Sequence, residues 1–120
     1  MNTISTILNS ITKDIYTDKQ TDEHYNFFYS SMLHYAISLE IASSSYNDQF
    51  ISFEKLCLKI PKKLGCRSSI KTILDHGLQN GFFIKEPKIS DRRIKRYKLS
   101  EKYSLMLTHW YLDRKERYVS

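Results

Sequence analysis

The feature that most constrains the fold is the turn at residues 61–65, PKKLG, which separates two short amphipathic segments. Apolar residues recur at helical spacing over 53–60, and the proline that follows ends this helix because it lacks an N–H and clashes with the preceding turn. The next pattern predicts a second helix over 67–80, and alternation then predicts strands over 82–85 and 94–99. Two helices, a tight turn and a hairpin are the layout of a winged helix-turn-helix.

Helical patterns flank this stretch on both sides. Residues 3–16 and 101–117 carry apolar stripes, and residues 22–43 are apolar on most sides, as in a buried central helix. Thr21 is placed to cap the central helix and Ser100 to cap the last one. The first stripe predicts packing on its own domain or a part in a homodimer interface, and the last predicts packing on the central helix or on a second subunit. The two stripes are Ile4, Leu8, Ile11 and Ile15, and Tyr103, Met106, Leu107, Trp110, Tyr111 and Arg114.

Length and composition predict one folded domain. The chain has 120 residues, of which 41% are hydrophobic and 27% charged, as in ordinary globular proteins. We expect a mainly α fold with a small β-hairpin wing (α+β). In it, residues 49–100 form the winged helix-turn-helix core, and residues 1–48 and 101–120 supply N- and C-terminal dimerisation helices. A short strand is expected over 49–51, and Ser52 is placed to cap the helix that follows.

The same sequence argues against a membrane or secreted protein. No run approaches the ~20 apolar residues of a membrane helix, and the N-terminus lacks the basic and apolar regions of a signal peptide. We therefore expect a cytoplasmic protein. Its two cysteines, Cys57 and Cys66, are expected to be reduced and buried as apolar residues rather than to form a redox switch.

Charge is distributed unevenly along the chain. Residues 1–54 hold two Lys or Arg against seven Asp or Glu, a balance of −5, whereas residues 55–120 hold seventeen against six, a balance of +11. Such asymmetry indicates that one part of the chain meets a polyanion, although a solvated basic surface has the same composition. Clustered cations would bind DNA with strong salt dependence.

The helix predicted over 67–80 has one polar face. Positions i, i+1, i+4, i+5 and i+8 lie on one side of a helix, and here they are cations, hydroxyls and one carboxylate. Such residues suit base edges and phosphates in a major groove, although a solvated face can look the same. Ile70, Ile73 and Leu74 occupy the inner side, with Gly77 or Leu78. The outer residues are Arg67, Ser68, Lys71, Thr72 and Asp75.

The hairpin predicted after this helix is strongly basic. A loop over 86–93 is expected between its strands, with Asp91 two residues before Arg93 and able to brace it. Cations at the tip of a hairpin can reach a minor groove or a flanking phosphate. The cations of this region are Lys85, Lys88, Arg92, Arg93, Lys95, Arg96 and Lys98.

These residues resemble the MarR-type winged-helix transcriptional regulators. Asp91-x-Arg93, five further residues and then Leu99-Ser100 match the wing signature D-x-R-x5-L-[ST], and Arg67-Ser68-Ser69-Ile70 resembles the start of the recognition helix. The turn before that helix is about three residues longer than usual, and Gly77 stands where leucine is common. The resemblance implies a homodimer with intertwined terminal helices and a wing-tip arginine at Arg93. The residues it would turn toward the major groove are Arg67, Ser68, Ser69, Lys71 and Thr72.

The sequence therefore predicts a sequence-specific, double-stranded DNA-binding regulator that acts as a homodimer. The alternative is a winged-helix module that binds protein without DNA specificity. Neither a cofactor nor a metal is expected, and an enzyme is disfavoured because the histidines are scattered and no phosphate-binding glycine loop is present. The family often senses small phenolic ligands or oxidants, but no motif here identifies an effector. The candidate DNA-binding residues are Lys62, Lys63, Arg67, Ser68, Ser69, Lys71, Thr72, Lys88, Arg92, Arg93 and Lys95, with Asp91 as a bracing residue.

Overall fold

The computed structural model describes residues 3–16, 22–47 and 49–119. The strands form one antiparallel sheet in the order β1-β3-β2. The fold is a mainly helical winged helix-turn-helix with a three-stranded sheet, which confirms the predicted fold class. In chain order the elements are α1 (Thr3–Tyr16), α2 (Glu23–Phe28), α3 (Met32–Tyr46), β1 (Ile51–Ser52), α4 (Phe53–Lys59), α5 (Arg67–Gln79), β2 (Phe83–Lys88), β3 (Asp91–Leu99) and α6 (Glu101–Val119).

The central helix predicted over 22–43 is two helices, so that prediction is wrong. Ser31 adopts extended dihedrals between α2 and α3, and its hydroxyl accepts a hydrogen bond from His34 N at 3.1 Å, which caps α3. The cap of α2 is Asp22, which accepts from His24 N at 2.8 Å, whereas Thr21 lies outside the described residues. Serine side chains that bond nearby backbone compete with helix continuation, and apolar periodicity does not register this.

The other end of α3 also differs from the prediction. The helix continues three residues beyond the expected end at Ser43 and stops at Tyr46. The hydroxyls of Ser44 and Ser45 donate to Ile41 O at 2.9 and 2.8 Å, so these polar residues remain within the helix instead of starting a turn. Serines therefore interrupt this segment at one end and extend it at the other.

The helix-turn-helix follows the predicted plan. Ser52 closes β1 and caps α4 by accepting from Lys55 N at 3.2 Å, and Pro61 lies directly beyond the C-cap of α4. Gly81 ends α5 with a φ of +77°, where glycine is favoured. Phe82 N donates to Gly77 O at 2.8 Å and Gly81 N to Leu78 O at 3.2 Å, which is a Schellman motif.

The wing strands are longer than predicted. The stretch 86–93, expected as a loop, lies mostly within β2 and β3, and the turn is confined to Ile89 and Ser90. Pro87 is compatible with this because β2 is an edge strand, where a missing N–H costs no hydrogen bond to a further strand. The register shifts at Pro87 and Lys88, as at a β-bulge.

The core joins every described helix except α1 to the sheet. Tyr103 of α6 is fully buried, and its hydroxyl lies 2.6 Å from Ser38 Oγ of α3, so two polar groups satisfy each other inside the core. Burial raises the pKa of Tyr103. The other fully buried large side chains of the core are Phe28, Ile37, Ile41, Ile51, Leu56, Ile70, Leu74 and Phe83.

The last helix packs on α2 and α3, which is one of the two arrangements predicted for it. Trp110 Nε1 donates to Tyr29 Oη at 2.8 Å, and its ring meets Phe28 edge-on at 5.2 Å. The Arg114 guanidinium lies 4.5 Å above the Trp110 ring, a favourable cation–π distance. Tyr111 of the same predicted stripe is 55% exposed, so this face of α6 is only partly covered.

Candidate nucleic-acid interface

Helix α5 is anchored by its inner side, and this fixes the direction of its polar face. Ile70, Ile73, Leu74 and Gly77 are buried, as the periodicity predicted. The opposite side lies in solvent, except that Ser69 is half-buried between the two faces. The exposed outer residues are Arg67, Ser68, Lys71, Thr72 and Asp75.

The first residue of α5 is held by the first turn of α4. Arg67 Nη1 donates to Glu54 Oε2 at 2.9 Å and Nη2 to Glu54 Oε1 at 2.6 Å, and the guanidinium lies 5.0 Å above the Phe53 ring. The hydrogen bonds from Arg67 hold the pKa of the Glu54 carboxyl below its usual value. Sequence reasoning identified Arg67 but not its partners, because thirteen residues separate Glu54 from it.

The remaining polar groups of α5 have local partners. Thr72 Oγ1 donates to the Ser68 carbonyl at 2.8 Å, so the Thr72 hydroxyl proton is engaged by the helix backbone. Lys71 Nζ lies 3.1 Å from Asp75 Oδ1 in an i,i+4 pair, which raises the pKa of Lys71. An exposed pair of this kind is weak, so a phosphate can compete with Asp75 for the ammonium group.

Cys66 occupies the N-cap position of the same helix without a side-chain cap hydrogen bond, and it is exposed, which contradicts the expectation of a buried thiol. It is exposed because the N-cap position precedes the packed side of α5, whereas Cys57 is half-buried, as expected for an apolar role. The Cys66 sulfur lies 3.0 Å from Ser68 Oγ and 3.4 Å from Ser69 Oγ. These hydrogen bonds lower the pKa of Cys66 to about 6, whereas desolvation raises that of Cys57.

The wing arginine is paired as the sequence suggested. Arg93 Nε donates to Asp91 Oδ1 and Nη2 to Asp91 Oδ2, both at 3.2 Å, and the backbone N of Arg93 also donates to Oδ1 at 3.1 Å. The hydrogen bonds from Arg93 lower the pKa of Asp91. The Arg93 side chain is nevertheless 91% exposed, so the pair fixes its direction without removing it from solvent.

A cleft of about 440 Å³ separates the wing from the helix-turn-helix. Lys71 of α5 lines it from one side, and Lys85, Arg93 and Lys95 line it from the sheet, with Glu54 as an acidic residue in the wall. Four cations around one open cleft repel each other in the free protein and attract a polyanion. Sequence reasoning omitted Lys85 from the site, although its pairing with the buried Tyr97 puts it on the helix-facing side of the sheet.

The structure distributes the other predicted cations differently. Lys62 and Lys63 are exposed in the turn before α5, and Lys88 and Arg92 belong to the hairpin tip; none of these four lines the cleft.

Two further cations serve the opposite face of the sheet. Arg96 and Lys98 lie over the Phe50 ring at 5.5 and 5.8 Å, and Lys98 Nζ is 2.6 Å from Glu86 Oε1. A positive charge alone therefore does not show which face of the sheet a side chain occupies; its position along the strand does.

Within residues 3–16, 22–47 and 49–119, no three His, Cys, Asp or Glu side chains come together as metal ligands would. No helix in the same part of the chain is both long and apolar enough to cross a bilayer.

Comparisons with known proteins add one structural similarity. No protein-family model and no curated protein matches the chain. Among solved structures, it is similar to the transcriptional regulator BldR from Sulfolobus solfataricus, with a TM-score of 0.50 and 20% sequence identity over 97% of this chain and 78% of that one. At this identity the similarity shows a shared fold, that of a winged-helix protein.

Proposed function

We propose that this chain is a sequence-specific, double-stranded DNA-binding transcriptional regulator. The observation that carries the proposal is the cleft between α5 and the wing, where Lys71, Lys85, Arg93 and Lys95 converge beside the polar face of α5. An α-helix with its side chains is about as wide as the B-DNA major groove, roughly 12 Å. A phosphate strand bordering that groove would then follow the cationic cleft.

The two elements have different tasks in this proposal. Helix α5 enters the major groove, where Arg67, Ser68, Ser69 and Thr72 meet base edges and Lys71 meets a phosphate. The wing reaches the minor groove or the flanking backbone with Arg93, whose extended and exposed side chain is directed by Asp91. An arginine in a narrow minor groove reads its shape more than its base sequence. Phosphate contacts from Lys62, Lys63, Lys88, Arg92 and Lys95 would fix the register of the protein.

The proposal includes a homodimer, in which residues 49–100 bind DNA and the flanking helices join the copies. Helix α1 supports this because Ile4 and Leu8 are 68% and 56% exposed, and a 14-residue helix is marginal in water without a partner. An apolar groove of about 500 Å³ between α3 and α6, lined partly by Trp110 and Leu112, adds uncovered apolar surface. A two-fold dimer would set two α5 helices about 34 Å apart, one turn of DNA.

Selection of genomic fragments with purified protein is the direct test. We expect a palindromic consensus with half-sites about 10–10.5 bp apart. Affinity for the selected duplex should fall steeply between 50 and 200 mM salt. Binding in the absence of any consensus would contradict sequence-specific recognition, and capture of a specific protein by a chain that ignores duplex DNA would favour the protein-binding alternative.

Substitutions in the cleft test the proposed contacts. Arg93→Ala and Lys71→Ala should each weaken binding to the selected duplex, and each should reduce the salt slope by about one if it removes one phosphate contact. Lys102→Ala is the matched control because Lys102 is an exposed cation on α6, away from the cleft. If both cleft variants bind like the wild type and like the control, the assigned surface is wrong.

A further inference from the structure

Arg67 occupies a position that local helix energetics disfavour. It is the first residue of α5, where the helix dipole is positive and an acidic side chain would be preferred. The first turn of α5 contains no acidic residue that would offset this charge. The cation is therefore not explained by the stability of its own helix.

Glu54, in the neighbouring helix, offsets the positive charge of Arg67. It lies in the first turn of α4, where its own charge is favoured by the dipole. Its two oxygens engage both terminal nitrogens of Arg67, at 2.9 and 2.6 Å, and Phe53 supports the guanidinium plane from one face at 5.0 Å. A carboxylate fork and an aromatic face together fix both the direction and the plane of an arginine side chain.

This arrangement leaves the guanidinium able to bind a second partner. Arginine carries five N–H donors in a fixed plane, and the end-on fork with Glu54 engages one on each terminal nitrogen. The other donors, including Nε–H, lie on the remaining edges of the same plane, and the side chain stays 59% exposed. Two adjacent donors on one edge match the O6 and N7 acceptors of guanine in the major groove.

The charge of Glu54 points to selectivity rather than to affinity. The carboxylate lines the cationic cleft, where it would repel a phosphate backbone and weaken binding to every duplex. We propose that Glu54 is a positioning residue, which holds Arg67 so that its free edge reads a guanine in the recognition site. This inference rests on the proposed function and assigns part of its sequence specificity to a side chain outside the recognition helix.

The test compares two duplexes with each variant. One is the best duplex from the genomic selection, and the other carries 7-deazaguanine, which lacks the N7 acceptor, at one guanine at a time. The wild type should lose about tenfold in affinity at one guanine per half-site, because the modified base breaks the bidentate pair. Glu54→Gln should reduce that loss to about twofold, while its affinity for a mixed-sequence duplex rises.

Three further variants separate positioning from charge. Glu40→Gln removes one carboxylate from a different ion pair, with Lys59 at 3.5 Å, and should keep the full 7-deazaguanine penalty. In an Arg67→Ala background, Glu54→Gln should leave discrimination unchanged, because there is no arginine left to position. Glu54→Asp, which keeps the charge, should retain part of the penalty.

Distinct outcomes would overturn the inference. If Glu54→Gln strengthens binding to all duplexes while keeping the full penalty, Glu54 only opposes phosphate and does not position Arg67. If no guanine substitution affects the wild type, Arg67 does not read guanine in this way. Failure to bind any duplex would instead remove the proposed function itself, and the inference with it.

Discussion

At the scale of single residues, the lack of a side chain at Gly77 determines how closely α5 packs against the wing. A Cβ built on Gly77 would lie 2.3 Å from Phe83 Cδ2 and 2.5 Å from Cε2, far inside van der Waals contact. Phe83 is only 2% exposed and starts β2, so its ring cannot move into solvent without opening the core. Gly77 is thus matched to the phenylalanine packed against it.

We expect Gly77→Ala to destabilise the fold by about 1–2 kcal/mol. Overpacking a core costs roughly 1–3 kcal/mol, and the better helix propensity of alanine returns up to about 1. Urea unfolding measures the change, and Gln79→Ala, at an exposed position of the same helix, should shift stability by less than about 0.5 kcal/mol. In a Phe83→Leu background the Gly77→Ala substitution should cost less; equal costs in both backgrounds would contradict the contact.

The sequence separated the cations of the wing only in part. It placed Arg93 in the candidate site and left Arg96 out of it, and in the structure Arg93 lines the cleft whereas Arg96 lies over Phe50 on the other face. Alternation along β3 distinguishes the two, but this requires the strand to begin at Asp91, and the sequence predicted a loop there. The omission of Lys85 has the same cause, since its place beside Tyr97 follows from pairing between strands.

At the scale of elements, predictions succeeded where a local signal was sufficient. Pro61 and Gly81 each act within one turn of the chain, and the limits of α4 and α5 agree with the prediction to within a residue. The break between α2 and α3 was missed because the residues around it are apolar on most sides. What interrupts the helix there is a serine cap, and the same residue type extends the other end of α3.

The cap between α2 and α3 gives a test at this scale. Ser31→Ala removes the acceptor for His34 N and the 2.7 Å contact between Ser31 Oγ and His34 Nδ1. The free energy of unfolding should fall by about 1 kcal/mol, the usual cost of losing an N-cap. Ser31→Asn supplies another capping oxygen and should restore most of the loss. Ser43→Ala, on an exposed position of α3, should not be destabilising; if it matches Ser31→Ala, the cap is not the cause.

At the scale of the whole molecule, the protein is elongated and its charge is unevenly distributed along the chain. The Cα radius of gyration is 15.5 Å, against about 13.6 Å for a compact domain of this length, and the principal extents are 54 × 26 × 26 Å. The N-terminal 54 residues carry −5 and the remainder +11. In the proposed dimer, the negatively charged N-terminal part would lie between the copies, and the positively charged remainder would face DNA.

Helix α1 allows the proposed dimer to be tested separately from DNA contacts. If the α1 stripe joins two copies, Leu8→Glu should place a charge in an apolar interface and convert the dimer to a monomer, as measured by sedimentation equilibrium. Asn9→Glu adds the same charge to an exposed position of the same helix, off the stripe, and should remain dimeric.

The monomeric Leu8→Glu variant should still bind a single half-site, because the winged core is untouched. It should lose most of its affinity for the full palindrome, since a dimer binds its second half-site at high effective concentration. A wild-type chain that is monomeric at tens of micromolar, or a Leu8→Glu chain that stays dimeric, would exclude α1 from the interface and leave its exposed stripe without an explanation within this proposal.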